Sequence, residues 1–152
     1  MIKRIAMVLL GIFCFLATNL VNAAQPTLQD KNQVLQSVKG STALVVFWRA
    51  DCSPCIDELH LIPKIAKAHP TVKIVLVSLN ERTKADQHLT AQLPPNVSNL
   101  TISQNSNKLL ASFGNQQSIL PYSVGLHKDG QICQTHVGIL GTSLANKWGK
   151  IC

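Results

Sequence analysis

The sequence predicts one α/β domain: a central mixed β-sheet flanked by helices on both faces and closed by a β-hairpin and a final helix. Three observations carry this. Short, β-branched apolar runs at 43–48 and 72–79 alternate with helical patterns, as expected of buried strands joined by crossover helices. Lys128-Asp129-Gly130-Gln131 separates two alternating runs, a strong hairpin signal. With 152 residues and 46% hydrophobic content, the chain can bury one ordinary core and no second one.

Element by element, the N-terminus reads first as an export signal. Lys3 and Arg4 precede the apolar run Ile5–Ala17, and small residues surround Val21-Asn22-Ala23, so residues 1–23 are expected to be a signal peptide and 24–152 the mature domain. The rival reading is an uncleaved membrane anchor, because Ile5–Ala23 approaches spanning length. Cys14 lies within this segment, and Gly11-Ile12-Phe13 before it lack the small residue of a lipoprotein site.

Thr27 is expected to cap a helix over Leu28–Val38 that ends at Gly40. The strand Ala43–Trp48 follows, then a helix Ser53–Ala68 stopped by Pro70, a strand Val72–Leu79 and a helix Lys84–Leu93 ended by Pro94-Pro95. A short strand is expected at Leu100–Ser103 and a short helix at Asn107–Phe113, closed by Gly114. The hairpin pairs Ser123–His127 with Ile132–Val137, and a last helix covers Thr142–Lys150.

Charge excludes little. Removing Lys3 and Arg4 takes the basic count from 14 to 12 against 7 acidic residues, a formal charge of +5. The basic residues are scattered with few aromatics between them, which argues for solvated faces and against a nucleic-acid interface.

Four cysteines remain in the mature chain: Cys52, Cys55, Cys133 and Cys152. An even number in an exported protein is compatible with disulfides. The first two stand in FWRADCSPC, directly after a buried strand and at the head of a helix. There the Cys52 sulfur meets unpaired backbone N–H groups and the positive end of the helix dipole, which favour thiolate over thiol. Cys55, one turn on, points inward and is placed to resolve a mixed disulfide formed at Cys52. Pro54 suits the first helical turn.

Helical periodicity puts Glu58 on the apolar arc with Cys55, Leu59, Ile62, Ile65 and Ala66, opposite Asp57, His60, Lys64 and Lys67. A carboxyl there is either partly desolvated, with a raised pKa and a proton-exchange role toward Cys55, or at the edge of the stripe and solvated. Asp57 and His60 read as solvated.

The last cysteine pair reads as structural. A final helix lying antiparallel to Ile132–Val137 returns Cys152 to the start of that strand, beside Cys133. A second redox pair or an intermolecular bond are the rivals; neither cysteine starts a helix, so a staple is expected.

FWRADCSPC, the acid at Glu58 and Leu120-Pro121 before a strand together resemble the thioredoxin fold, and most closely exported TlpA/ResA/CcmG-like thiol:disulfide oxidoreductases, over about Leu28–Ile151. The resemblance implies a cis Leu120-Pro121 bond exposing backbone to an extended substrate beside Cys52. The stretch between Leu79 and Leu120 resembles the family's central insertion. The resemblance also implies a protein-disulfide oxidoreductase, with the reductase direction favoured. It needs no cofactor beyond the cysteine pair and acts on disulfide-containing exported clients. A membrane electron donor of DsbD or CcdA type restores it in the periplasm of a Gram-negative bacterium, and a monomer is expected.

Departures from the pattern matter too. Asp51 stands where the family has Trp and is expected to oppose the neighbouring thiolate. Val46 stands where thioredoxins have an acid, which leaves Glu58 as the candidate proton carrier. His60 replaces a proline, with Pro63 three residues later, so any helix kink is expected to move. No N-terminal hairpin is recognisable before Leu28. A dithiol oxidase or isomerase is the alternative, and after it a copper chaperone using Cys52 and Cys55 with His60 or His136; no resident metal site is expected.

Overall fold

The computed structural model describes residues 26–80 and 84–152; the signal or anchor segment expected at 1–23 lies outside the described residues. Helix α1 spans Pro26–Val38, β1 Ala43–Trp48, α2 Ser53–Ala68, β2 Lys73–Ser78, α3 Lys84–Leu89, β3 Val97–Thr101, α4 Ser106–Ser112, β4 Tyr122–Leu126, β5 Ile132–Val137 and α5 Thr142–Ile151. None of the described helices is long and apolar enough to cross a membrane.

The strands form one mixed sheet in the order β3-β2-β1-β4-β5. β1 pairs parallel with β2 and antiparallel with β4, so its six residues are buried at the centre. Alternation along the strands divides the core into two layers. Val45, Phe47, Val75, Val77 and Val124 meet Val34 and Val38 of α1 and Leu109 and Leu110 of α4. Leu44, Val46, Trp48, Ile74 and Leu76 meet Cys55, Leu59, Ile62 and Ile65 of α2 and Ala145 and Trp148 of α5. The sheet with helices on both faces is the fold expected from the sequence.

Several boundaries differ from expectation. α1 begins at Pro26, whose fixed φ and missing N–H suit a first turn, so Thr27 lies inside the helix instead of capping it. α3 stops at Leu89, four residues before the expected end; Leu93 precedes a proline, which disfavours helical backbone there, and the chain turns with Ala91 N–H donating to the His88 carbonyl. β3 begins at Val97 instead of Leu100, because parallel pairing sets Val97 opposite Ile74. Asn96 fixes that entry: its Nδ2 donates to the carbonyls of Ala66, His69 and Val72, at 3.2, 3.1 and 3.0 Å, tying β3 to the end of α2. α2 continues through Pro63.

The hairpin turn follows from its residues. Gly130 takes φ +84°, its N–H donates to the His127 carbonyl at 2.9 Å, and the Asp129 carboxylate accepts the Gln131 N–H at 3.0 Å. α5 then packs back across β4, where Gly125 permits the approach. A Cβ at Gly125 would stand 3.2 Å from the Trp148 ring and 3.1 Å from Cys152 Sγ. The chain ends with Cys152 disulfide-bonded to Cys133, Cα atoms 5.8 Å apart.

Candidate functional site

β1 delivers the chain to the head of α2 at the carboxyl end of the central strand, where open α/β sheets place their sites. Cys52 is the N-cap of α2, with extended backbone (φ −109°, ψ 101°), and its Sγ accepts the Cys55 N–H at 3.3 Å. Its carbonyl accepts the N–H groups of Cys55 and Ile56 at 3.0 and 3.2 Å. The cap that ordinary helices draw from a serine or aspartate oxygen is here a sulfur, so the helix N-terminus acts directly on the Cys52 Sγ.

Cys52 and Cys55 are joined as a disulfide, Cα atoms 5.2 Å apart. Their exposures differ: Cys52 is half-buried and Cys55 fully buried. Of the pair, Cys52 is the sulfur accessible from solvent.

Asp51 behaves differently from the sequence expectation. Arg49 binds it in a two-pronged ion pair, with Nε 2.9 Å from Oδ1 and Nη2 2.7 Å from Oδ2. The guanidinium holds the Asp51 carboxyl below its ordinary pKa. What stands beside Cys52 is an exposed ion pair and not a bare anion, and its opposition to a thiolate is correspondingly reduced. The Arg-x-Asp spacing was the signal in the sequence.

Glu58 is fully buried, on the same arc of α2 as Cys55. The Ser123 hydroxyl donates to its Oε1 at 3.1 Å and the Leu140 N–H donates to the same oxygen at 2.9 Å. Oε2 is buried without a hydrogen-bond partner. Burial pushes the carboxyl pKa up, and the two hydrogen bonds pull only partly against it. Of the two placements read from the sequence, a buried position or the solvated edge of the stripe, the structure has the buried one. Val46 is buried in the same apolar layer, while Asp57 and His60 are exposed on the far arc of α2.

The Leu120-Pro121 bond is cis. Leu120 packs against the layer that contains Cys52 and Cys55, and the Pro121 carbonyl accepts the Gly138 N–H at 2.8 Å. The approach to this bond is set by Asn115, which the sequence reading missed. Buried, it donates through Nδ2 to the Ile119 carbonyl at 2.7 Å and accepts the Ile119 N–H at 3.2 Å. Ile119, Val137 and Ile139, on the segments flanking Pro121 and Gly138, are exposed apolar side chains. Among the described residues, no group of three or more histidines, cysteines and carboxylates is arranged to hold a metal ion.

Comparison with known proteins agrees with this geometry. No curated protein matches the chain. A thioredoxin-related protein from Neisseria meningitidis serogroup B is similar at 26% identity, with 76% of this chain and 87% of that chain covered and a TM-score of 0.64. An exposed lipoprotein thioredoxin from Streptococcus pneumoniae is similar at 25% identity, covering 76% and 88% with a TM-score of 0.57. A secreted Mycobacterium tuberculosis disulfide oxidoreductase shares the fold at 19% identity, covering 77% and 86% with a TM-score of 0.60. The Redoxin family model matches residues 17–147. A match of that extent, over a thioredoxin-like sheet whose central strand leads into the Cys52–Cys55 pair, makes the chain a member of the Redoxin family.

Proposed function

We propose that this protein is an exported reductase of protein disulfides, working in the periplasm of a Gram-negative bacterium. The observation that carries the reading is the unequal dithiol: an accessible sulfur capping α2 and a buried one a turn behind it. In the reduced protein the Cys52 thiolate attacks one sulfur of a client disulfide, and the other client sulfur leaves as a thiolate that takes a proton from water. Cys55 gives its proton to Glu58 and attacks Cys52 Sγ, expelling the second client sulfur as a thiolate, which is protonated from water while Glu58 releases its proton to solvent. The client gains two electrons and two protons, and the protein is left with the Cys52–Cys55 bond. A membrane electron donor of DsbD or CcdA type then restores the dithiol.

Leu120 and Pro121 are the residues proposed to pair with an extended client segment, and the exposed Ile119, Val137 and Ile139 support this with an apolar surface for it. Export rests on the N-terminal pattern, with cleavage near Ala24, and the protein is read as a monomer whose chemistry needs only its cysteines. Cys133–Cys152 is read as structural.

Equilibration with glutathione tests the direction. A reductase poises near the thioredoxin potential of about −270 mV, whereas an oxidant lies near −120 mV. A Cys55→Ala variant is expected to trap clients as mixed disulfides on Cys52. A potential near the oxidant value, or a trap that captures nothing while the wild type reduces insulin, overturns the reading.

A further inference from the structure

β4 turns Tyr122, Val124 and Leu126 toward α1 and α4, and leaves Ser123 and Gly125 on the side of α2 and α5. Gly125 is accounted for by the approach of Trp148 and Cys152. Ser123 is not accounted for by packing: it is a fully buried hydroxyl in an apolar layer, paired in register with Val46. A buried hydroxyl is costly unless bonded. Its hydrogen bond is to Glu58 Oε1, the atom that also receives the Leu140 N–H.

We propose that Ser123 is a positioning residue for Glu58: with the Leu140 N–H it holds Oε1 as the end of the carboxyl that stays unprotonated, and leaves Oε2 as the atom that takes and returns the proton of Cys55. This rests on the proton-transfer role of Glu58 given above. Two donors on one oxygen favour carbonyl or carboxylate character there, so the neutral acid carries its proton on Oε2, which has no donor facing it. Both donors also stabilise the ionised form more than the neutral one, because a hydrogen bond to a charge is the stronger. Ser123 thereby works against the upward push of burial on this acid without adding a counter-charge beside the dithiol. In the step itself, the Cys55 S–H bond breaks and Oε2–H forms as Cys55 Sγ bonds to Cys52 Sγ and the client thiolate leaves. Two electrons pass from the dithiol to the client.

The two groups bonded to this carboxyl, the Ser123 hydroxyl and the Leu140 N–H, are both neutral; the apolar layer on this side of the sheet includes Val46, Trp48 and Cys55, the thiol whose proton is at issue. β5 sets His136 opposite Ser123 in register, half-buried, so it is the other titratable side chain to control.

The test uses the protein carrying a mixed disulfide between Cys52 and 5-thio-2-nitrobenzoate. Release of the chromophore by Cys55 is followed against pH, in parallel with the Glu58 carboxyl ¹³C shift, all in a His136→Gln background. Ser123→Ala is expected to move the rate profile to higher pH, with release slowed about three- to tenfold below the midpoint and unchanged at the plateau, and to move the carboxyl titration the same way. Ser123→Thr, which keeps the hydroxyl, is expected to restore both. Superimposed wild-type and Ser123→Ala profiles, with an unmoved carboxyl titration, overturn the proposal. Glu58→Gln separates the two levels. If it leaves the release profile intact, the proton-transfer reading falls, and the positioning role in exchange falls with it. If Glu58→Gln alters the profile and Ser123→Ala does not, the positioning role alone falls.

Discussion

Replacing Cys133 and Cys152 with alanine opens the covalent ring that joins β5 to the end of α5. The two cysteines are 19 residues apart. For a loop of that length the chain-entropy relation gives about 11 cal/mol/K, or about 3 kcal/mol at 25 °C, lost when the bond is absent. At about 4 °C per kcal/mol for a domain of this size, the melting temperature falls by about 12 °C. Urea denaturation followed by far-UV circular dichroism reads the same loss as a lower midpoint, with a larger slope because the unbridged unfolded chain exposes more surface. The single variants Cys133→Ala and Cys152→Ala open the same ring, so each loses nearly as much as the double variant, and the losses do not add. Insulin reduction, the activity proposed for Cys52 and Cys55, is expected to stay within about twofold. A loss below about 0.5 kcal/mol in the double variant, or single losses that sum to the double, refutes the ring as the source of stability.

Three further outcomes are expected. Burial raises the Glu58 pKa above 4.5, so its stabilising contribution is complete while the acid is protonated, below that value, and is lost as pH rises through the folded-state pKa. Glu58→Gln, which cannot ionise, should therefore gain urea resistance over the wild type at pH 8 and lose that advantage by pH 4; an equal difference at both pH values is the contrary result. Arg49→Ala leaves the Asp51 carboxylate unpaired beside Cys52, and alkylation of reduced Cys52 at pH 7 should slow by about two- to threefold, with Asp51→Asn acting in the opposite direction; no change in either would remove the pair from the account. Ile62→Ala empties a buried site in the layer beneath the dithiol and should cost about 2–5 kcal/mol in chemical denaturation, whereas a cost under 1 kcal/mol would show that the layer collapses to fill the space.

Much of this molecule was legible from local pattern. β1 and α2 match the expected Ala43–Trp48 and Ser53–Ala68, because a β-branched run and a capped apolar arc are decided by near neighbours. β3 was not legible. It is short and mostly half-buried, and its start is fixed by Asn96 gripping the end of α2 some 30 residues earlier in the chain. Helical periodicity placed Glu58 on the apolar arc but did not choose between burial and the edge, since its partners lie 65 and 82 residues away. Asp51 was misjudged when read by its own charge, because its behaviour depends on the guanidinium two residues earlier. Asn115 and Ser123 carry no local signal: each is a small polar residue whose meaning appears only when the loop before Pro121 and the face of β4 are assembled.

The threefold grip of Asn96 on the end of α2 and the turn that follows it bears on how the protein accommodates its two redox states. The same end of the helix is held again by the His69 ring, 2.8 Å from Asn146 Oδ1 on α5. A rod clamped at its tail pivots little and slides less, so the rearrangement that opens or closes the sulfur bridge is absorbed at the tip, in the turn that runs from Arg49 to Cys55. The oxidised and reduced forms should differ there and coincide elsewhere, and a client is left to distinguish them by the shape of that single turn.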